Sequence, residues 1–205
     1  MKTLIAFVFF LLSCAASASD APDVLVRNVT EDMLKSMRQD KDIQAGNLKR
    51  AAEMIDAKVL PHFNFKRMTS LAVGKDWRQA TPAQKERLAA EFRTLLLRTY
   101  SNAIVSYRNQ TIDYKPFRMQ PADAEAVVRT SVNQPGGKPI QLDYFLAKDG
   151  DAWKVFDVVV AGVSLVTNYR DAFGQEIRAN GIDGLINSLA AKNQGQESKA
   201  DGKKS

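Results

Sequence analysis

The chain has few of the residue types that metal sites and nucleophilic catalysis use. Its 205 residues include one cysteine, Cys14, and one histidine, His62. This excludes a zinc cluster of cysteine and histidine ligands, and it leaves no second histidine for a Ser-His-Asp triad. No carboxylate stands at metal-ligand spacing from His62, and no glycine-rich phosphate-binding loop is found. We therefore expect a structural histidine, no metal and no cofactor.

Long apolar runs are scarce as well. Residues 4–12 form one, and small residues follow it at 13–19. A membrane-spanning helix needs about 20 apolar residues, roughly twice this length. The pattern predicts a signal peptide over residues 1–18, cleaved after Ala16-Ser17-Ala18. An alternative uses residues 11–14, LLSC, as a lipobox that would leave a lipidated Cys14.

The predicted mature chain has no cysteine, so its stability must come from a core and not from a disulfide. Residues 19–191 are long enough for one domain with a sizeable core. Residues 192–205 contain no apolar side chain larger than alanine, so we expect a disordered tail there. The expected product is exported, soluble and monomeric.

The formal net charge is +6, and for an exported protein nucleic acid is a poor explanation of it. Attraction to anionic lipid head groups or to acidic protein surfaces would explain this charge, and so would ordinary solubility.

Helical periodicity dominates the first half of the chain. We predict helices over 23–37, over 48–59 up to Pro61, and from Phe65 to a C-cap at Gly74. A longer helix is predicted from Thr81-Pro82-Ala83-Gln84, with Thr81 as the N-cap and Gln84 completing a capping box. Its apolar stripe runs to Tyr107.

After residue 109 the period becomes two, which predicts four strands at 111–118, 124–133, 140–148 and 151–159. An Asp149-Gly150 type I′ turn would pair Leu146 with Trp153 and Leu142 with Asp157. A helix capped by Ser164 and ended by Asn180-Gly181 follows, and then a short helix around 185–189. The predicted fold is α+β, with a four-stranded antiparallel sheet wrapped on one face by several helices.

Asp157 interrupts the apolar face of the predicted sheet, because the predicted register places its charge there. It could be a general base with Tyr114 or Tyr144 as oxyanion partner. It could instead form a buried pair with Arg170 or Arg129 that locks the following helix to the sheet. We favour the structural interpretation.

Particular segments of the chain carry a family resemblance. They are VLPHFNF at 59–65, Met68, Gly74, WR at 77–78, 92–96, Tyr100, WKVFDV at 153–158, GVSL at 162–165, NYR at 168–170, Phe173 and GIDGLI at 181–186. Together they resemble the MlaC family of periplasmic proteins, also called toluene-tolerance proteins. The resemblance extends from about residue 24 to 190. The chain departs from the family pattern at Phe156, a position where tyrosine is common in the family.

The resemblance implies a periplasmic carrier of glycerophospholipid in a Gram-negative bacterium, and not an enzyme. Such carriers exchange lipid between an outer-membrane lipoprotein-porin complex and an inner-membrane ABC transporter with an MCE-domain subunit, which maintains outer-membrane lipid asymmetry. The acyl chains are expected in a deep apolar pocket between the sheet and the helices, with the head group near solvent.

On this reading, apolar side chains of the helices and the sheet should contact the lipid. We predict Met68, Leu71, Trp77, Phe92, Leu96, Tyr100, Ile104, Tyr144, Val155, Val166, Tyr169 and Phe173 as the lipid-binding residues.

Two other functions stay open at this point. One is a periplasmic hydrolase or isomerase with a cone-shaped apolar pocket and Asp157 as base. The other is an adaptor that binds proteins at its basic surface.

The predicted cleavage site is tested by the intact mass of the mature protein. We expect a chain that starts at Ser19, because the A-x-A motif precedes it. A diacylated Cys14 as the first residue would contradict this and would make the protein a lipoprotein.

Overall fold

The computed structural model describes residues 20–106, 110–134 and 136–201. The predicted signal peptide with its cleavage site, and Tyr107, lie outside these ranges. The helices are α1 (Pro22–Gln39), α2 (Lys41–Gln44), α3 (Leu48–Lys58), α4 (Phe65–Val73), α5 (Pro82–Ser106) and α6 (Arg170–Asp201). The strands are β1 (Thr111–Tyr114), β2 (Glu125–Asn133), β3 (Ile140–Asp149), β4 (Ala152–Val160) and β5 (Val163–Ser164).

The helix ends follow the predicted signals. At the start of α5, the Gln84 backbone N–H donates to the Thr81 hydroxyl at 3.2 Å, and the Thr81 N–H donates to the Gln84 side chain at 3.0 Å. The predicted capping box is therefore confirmed. Gly74 ends α4 with φ of 70°, a left-handed value that glycine adopts without strain.

The sheet is a five-stranded antiparallel meander in the order β1-β2-β3-β4-β5. The α+β class is confirmed, and the prediction of four strands is wrong by one. The missed strand, β5, pairs Val163 with Val160 and Ser164 with Val159. Two residues are too few to produce a period-two signal, which explains the omission.

The predicted register of the β3–β4 hairpin is also wrong. Trp153 lies opposite Lys148 and not opposite Leu146, because the loop residues are Gly150 and Asp151. Of these two, only Gly150 has a positive φ, 62°, as in a type II′ turn and not the predicted type I′.

A β-bulge changes the register further along the hairpin. Leu146 pairs with Val155 and Phe145 pairs with Asp157, so Phe156 is left between them without a partner. The extra residue moves Asp157 away from its predicted place beside Leu142. On the face that carries Leu146, the following pairs are Tyr144 with Val158 and Leu142 with Val160.

Helices pack against both faces of the sheet, which corrects the prediction of one covered face. One face contributes Leu146, Val155 and Val158 to a cluster with Val26 of α1. The other contributes Phe145, Ala147 and Phe156 to a cluster with α4, α5 and α6. We call this second group the helical cluster, and its members include Phe92, Val166 and Phe173.

The last helix is one kinked element where two separate helices were predicted. Gly181 has φ of 72° and ψ of −177°, so it kinks α6 where a helix end was predicted. Beyond it, α6 continues to Asp201, past the predicted boundary at 192. The Asn193 side chain donates to the Glu91 carbonyl oxygen at 3.0 Å and to its carboxylate at 2.7 Å. These bonds join Asn193 to α5.

Asp157 joins β4 to the segment after β5. Its carboxylate accepts hydrogen bonds from the Ser164 hydroxyl at 2.6 Å, the Val158 N–H at 2.8 Å and the Val166 N–H at 3.3 Å. The predicted ion pair is wrong, because Arg129 pairs with Asp143 and Arg170 donates to the Leu71 carbonyl. Burial raises the pKa of Asp157, although these three hydrogen bonds lower it in part.

The Ser164 hydroxyl accepts hydrogen bonds from the Val166 N–H at 3.2 Å and the Thr167 N–H at 2.9 Å, which holds the turn after β5. The predicted helix cap at Ser164 is wrong, because Val166 is the N-cap of the 3-10 turn Thr167–Tyr169 and α6 begins at Arg170.

We expect Asp157→Asn to lower the melting temperature, since an amide has one acceptor oxygen and leaves a buried donor unpaired, at about 1–3 kcal/mol. The raised native pKa adds a pH dependence. The native state holds the Asp157 proton more tightly than the unfolded chain, whose value is near 3.8. The free energy of folding contributed by Asp157 is therefore fully present below the unfolded pKa of 3.8, and it is lost as the pH rises through the native pKa.

In thermal melts across the acidic range, the difference in melting temperature between Asp157→Asn and the unmodified protein should therefore become smaller as the pH rises. Asp151→Asn, in the exposed hairpin loop, is the matched control and should melt as the unmodified protein does. A deficit that widens with pH would contradict the raised pKa.

Candidate functional site

A cavity of about 410 Å³ lies between the sheet and helices α1, α3, α4 and α5. The sheet contributes residues of β1 to β4 from the face that carries Tyr144. Apolar side chains make up most of the lining, and they are Leu25, Val26, Val29, Met33, Leu34, Met37, Ile55, Val59, Leu60, Phe63, Phe65, Met68, Leu96, Leu97, Ala103, Ile104, Ile112, Val132, Leu142, Val155, Val158, Val160 and Leu165.

The exposure of the lining residues varies around the cavity. Met68, Leu96 and Val155 are buried. Phe63 and Ile104 are partly exposed, and Ala103 is exposed. Part of the lining therefore reaches the surface of the protein.

Five polar residues take part in the lining, and they are Thr30, His62, Tyr100, Gln110 and Tyr144. Burial raises the pKa of Tyr100 to about 12, with a further rise from Tyr169, and burial also raises the pKa of Tyr144 to about 12. Both phenols stay neutral at physiological pH. Among the described residues, no lysine or arginine lines the cavity. Such a pocket suits a long apolar ligand with few polar groups.

The structure divides the twelve predicted site residues into two groups. Met68, Leu96, Tyr100, Ile104, Tyr144 and Val155 line the cavity. Leu71, Trp77, Phe92, Val166, Tyr169 and Phe173 belong to or pack against the helical cluster instead. The reason is that the apolar stripe of α5 serves two purposes. Its first half packs on α6, and its second half faces the cavity.

Sequence reasoning missed the contribution of α1 to the cavity. This helix supplies Leu25, Val29, Met33 and Met37 to the lining. The helical spacing of Val29, Met33 and Met37 was the available signal, and it marked an apolar face without saying what the face contacts. The cavity-facing residues Val158 and Val160 were missed because the bulge in β4 could not be foreseen.

His62 lines the cavity in the turn between α3 and α4. Its pKa is lowered, first by burial and then by the nearby charge of Lys154. Within the described ranges, no three His, Cys, Asp or Glu side chains come together as a metal site.

Asp157 is absent from the cavity lining, and its oxygens accept from Ser164 and two backbone N–H groups. Asp157 pairs with Phe145 on the other face of the sheet. The predicted position of this carboxylate on the apolar cavity face, on which the enzyme alternative rested, is therefore wrong. In the part of the chain that the structure describes, no helix is both long and apolar enough to cross a bilayer.

Comparisons with known proteins agree with this geometry. The chain is 36% identical to a solved phospholipid-binding protein from Ralstonia solanacearum, in complex with a phospholipid, with a TM-score of 0.80 over 87% of this chain and 99% of that one. It is 27% identical to the toluene tolerance protein ttg2D of Pseudomonas putida, over 86% of this chain and 85% of that protein.

It is also 27% identical to the intermembrane phospholipid transport system binding protein MlaC of Haemophilus influenzae, over 91% of this chain and 90% of that protein. The sequence model of the MlaC protein family matches residues 27–191, most of the chain. The resemblance found in the sequence is confirmed, and the chain belongs to the MlaC family.

Proposed function

We propose that this protein is a phospholipid carrier that holds the acyl chains of one lipid in the apolar cavity and leaves the head group at the opening. The observation that carries the proposal is the 410 Å³ cavity itself, with its apolar lining. The Ralstonia relative, at 36% identity, has a phospholipid bound. The absence of lysine and arginine from the described lining agrees with a lipid tail and disagrees with a buried phosphate.

The energetics suit a carrier. Each methylene removed from water contributes about 0.8 kcal/mol, so two acyl chains contribute on the order of 20 kcal/mol. A bilayer offers the same chains nearly the same free energy. Transfer between membrane and protein can then be close to balanced, and a partner must supply the bias that drives uptake or release.

The cellular setting follows from the family and from the predicted signal peptide. We infer a location in the periplasm, where the protein moves glycerophospholipid between the two membranes and maintains outer-membrane lipid asymmetry. Its partners would be an outer-membrane lipoprotein-porin complex and an inner-membrane ABC transporter with an MCE-domain subunit. The Haemophilus relative, a binding protein of an intermembrane phospholipid transport system, supports this setting.

The residues proposed to contact the lipid are those that both the sequence and the cavity identify. They are Met68, Leu96, Tyr100, Ile104, Tyr144 and Val155. To these the structure adds the α1 residues Val29, Met33 and Met37. Met33, Met37 and Met68 are buried and line the cavity, so a lipid chain there can contact three thioethers.

Val155 and Val166 give a matched pair of tests, because both are buried valines and only Val155 lines the cavity. Val155→Trp should fill the pocket, so phospholipid extracted from the purified protein and measured by mass spectrometry should fall several-fold. Its melting temperature without lipid should stay near that of the unmodified protein. Val166→Trp should instead overpack the helical cluster and cost about 1 to 3 kcal/mol of stability.

Two results would contradict the proposal. Unmodified protein that yields no phospholipid on extraction, and takes up none from vesicles, is not a carrier. Val155→Trp that loses stability and keeps its lipid would mean that this part of the cavity is ordinary core.

A further inference from the structure

The single histidine of the chain, His62, is part of the cavity wall. It lies in the 3-10 turn Leu60–His62 between α3 and α4, and it lines the cavity together with Leu60 and Phe63. All three residues are partly exposed, so the lining reaches the surface of the protein at this turn. The sequence predicted a structural histidine, yet in the described part of the chain no residue forms a hydrogen bond with its ring.

Strand β4 places a positive charge beside this turn. Phe63 pairs with Val155 of β4, and the Lys154 ammonium donates to the Pro61 carbonyl oxygen at 2.5 Å. The ammonium is thereby held next to His62. Val155 is buried and lines the cavity, so the apolar wall begins directly beside the turn.

Lys154 differs in its partner from Arg27 and Lys58, two other cations on elements that line the cavity. Arg27 pairs with Glu31 at 3.6 Å, and Lys58 pairs with Asp32 at 2.7 Å. The partner of Lys154 is a neutral carbonyl oxygen, and among the described residues no carboxylate pairs with it. An ammonium has three donors, and the carbonyl uses one of them.

The other charged groups of the elements near the turn have partners of their own. These pairs are Asp56 with Arg93, Lys58 with Asp32, Arg67 with Glu125, Asp149 with Asn64, and Asp157 with Ser164. Lys154 is the charged group that acts on His62, and after burial it lowers the pKa of this ring. At neutral pH the protein without lipid therefore has a neutral imidazole beside a lysine ammonium.

An anion at this place would find two partners. The ammonium would balance its charge, and the imidazole would take up a proton and donate a charge-assisted hydrogen bond to it. A phosphodiester carries one negative charge on oxygens that accept such bonds. In a glycerophospholipid this group is attached to the glycerol that carries the acyl chains, so it stays close to the apolar wall where the chains begin.

We propose that His62 and Lys154 form the binding site for the phosphate group of the bound lipid, at the turn between α3 and α4. This inference rests on the proposed function and assigns a place to the head group. The acyl chains then start beside Phe63 and Val155 and extend into the cavity. Because His62 takes up a proton when the phosphate binds, phospholipid should be held more tightly as the pH falls from alkaline to mildly acidic values.

The test uses the single histidine as a probe, in protein without a histidine tag. The pKa of His62 is measured from the NMR signal of its imidazole C–H in three samples: delipidated protein, protein loaded with phosphatidylglycerol, and protein loaded with diacylglycerol that has the same chains. Phosphatidylglycerol should raise the pKa above that of the delipidated protein, because the phosphate favours the protonated ring. Diacylglycerol occupies the cavity without a phosphate and should not raise it.

Equal pKa values of His62 in the two lipid-loaded samples would overturn the inference and leave the carrier function intact. A fourth sample contains inorganic phosphate at the same ionic strength and no lipid. A rise as large as that with phosphatidylglycerol would assign the site to a free anion, and this would also overturn the inference. Binding of neither lipid would overturn the proposed function instead.

A variant then tests the contribution of Lys154 to lipid selection. Protein freed of lipid is incubated with vesicles that contain equal amounts of phosphatidylglycerol and diacylglycerol, and the ratio of the two bound lipids is measured by mass spectrometry. In Lys154→Gln the ratio of phosphatidylglycerol to diacylglycerol should fall about three- to tenfold, since one hydrogen bond to a charged group is lost at a partly exposed site. Without lipid, the same variant should have a higher His62 pKa, because the positive charge that lowers it is gone.

Lys148→Gln is the matched control, because the Lys148 ammonium lies over the Trp153 ring at 5.6 Å and neither residue lines the cavity. It should keep the lipid ratio of the unmodified protein. Loss of both lipids at an unchanged ratio in Lys154→Gln would mean that Lys154 only supports the structure of the turn, and it would overturn the inference.

Discussion

The bulge in β4 is the constraint on which both halves of the molecule depend. A regular strand would alternate strictly between the two faces of the sheet. The unpaired Phe156 breaks this alternation, so Phe156 enters the helical cluster while Val155 and Val158 remain on the cavity face. One strand thereby closes a packed core on one side and lines an open pocket on the other.

Two parts of α5 likewise face the packed core and the cavity. Leu88, Phe92 and Leu95 are buried in the helical cluster, where Phe92 meets Phe173 edge to face at a centroid distance of 5.3 Å. Further along the helix, Tyr100 and Ile104 line the cavity. The first half of α5 packs directly on other side chains and so contributes stability. The second half contributes less, because it faces the cavity. A protein that holds a removable ligand needs this separation, since its core must stay intact when the pocket is empty.

The sequence was sufficient for features that depend on neighbouring residues. The capping box at Thr81 and the helix end at Gly74 are local hydrogen-bonding and backbone effects, and both were predicted correctly. The family could be recognised because many short segments agreed over the whole domain. The hairpin register was not accessible, because Asp149-Gly150 and Gly150-Asp151 are both acceptable turns and the bulge depends on tertiary packing.

Six of the twelve predicted site residues line the cavity, and the others do not, for a related reason. Periodicity marks a residue as apolar and facing inward, but it does not distinguish a neighbour in a packed core from a neighbour across a cavity. Phe92 and Ile104 lie on one stripe of one helix and have different surroundings. Asp157 illustrates the reverse error, since its burial was inferred correctly while its partners were backbone N–H groups and a serine and not an arginine.

Three methionines form part of the cavity wall, with Met33 and Met37 on α1 and Met68 on α4. A thioether side chain is unbranched and polarisable, so it changes rotamer at little cost and fits surfaces of different shape. A pocket with such a lining conforms to straight and to kinked hydrocarbon chains. A deformable wall would allow one protein to accept acyl chains that differ in unsaturation.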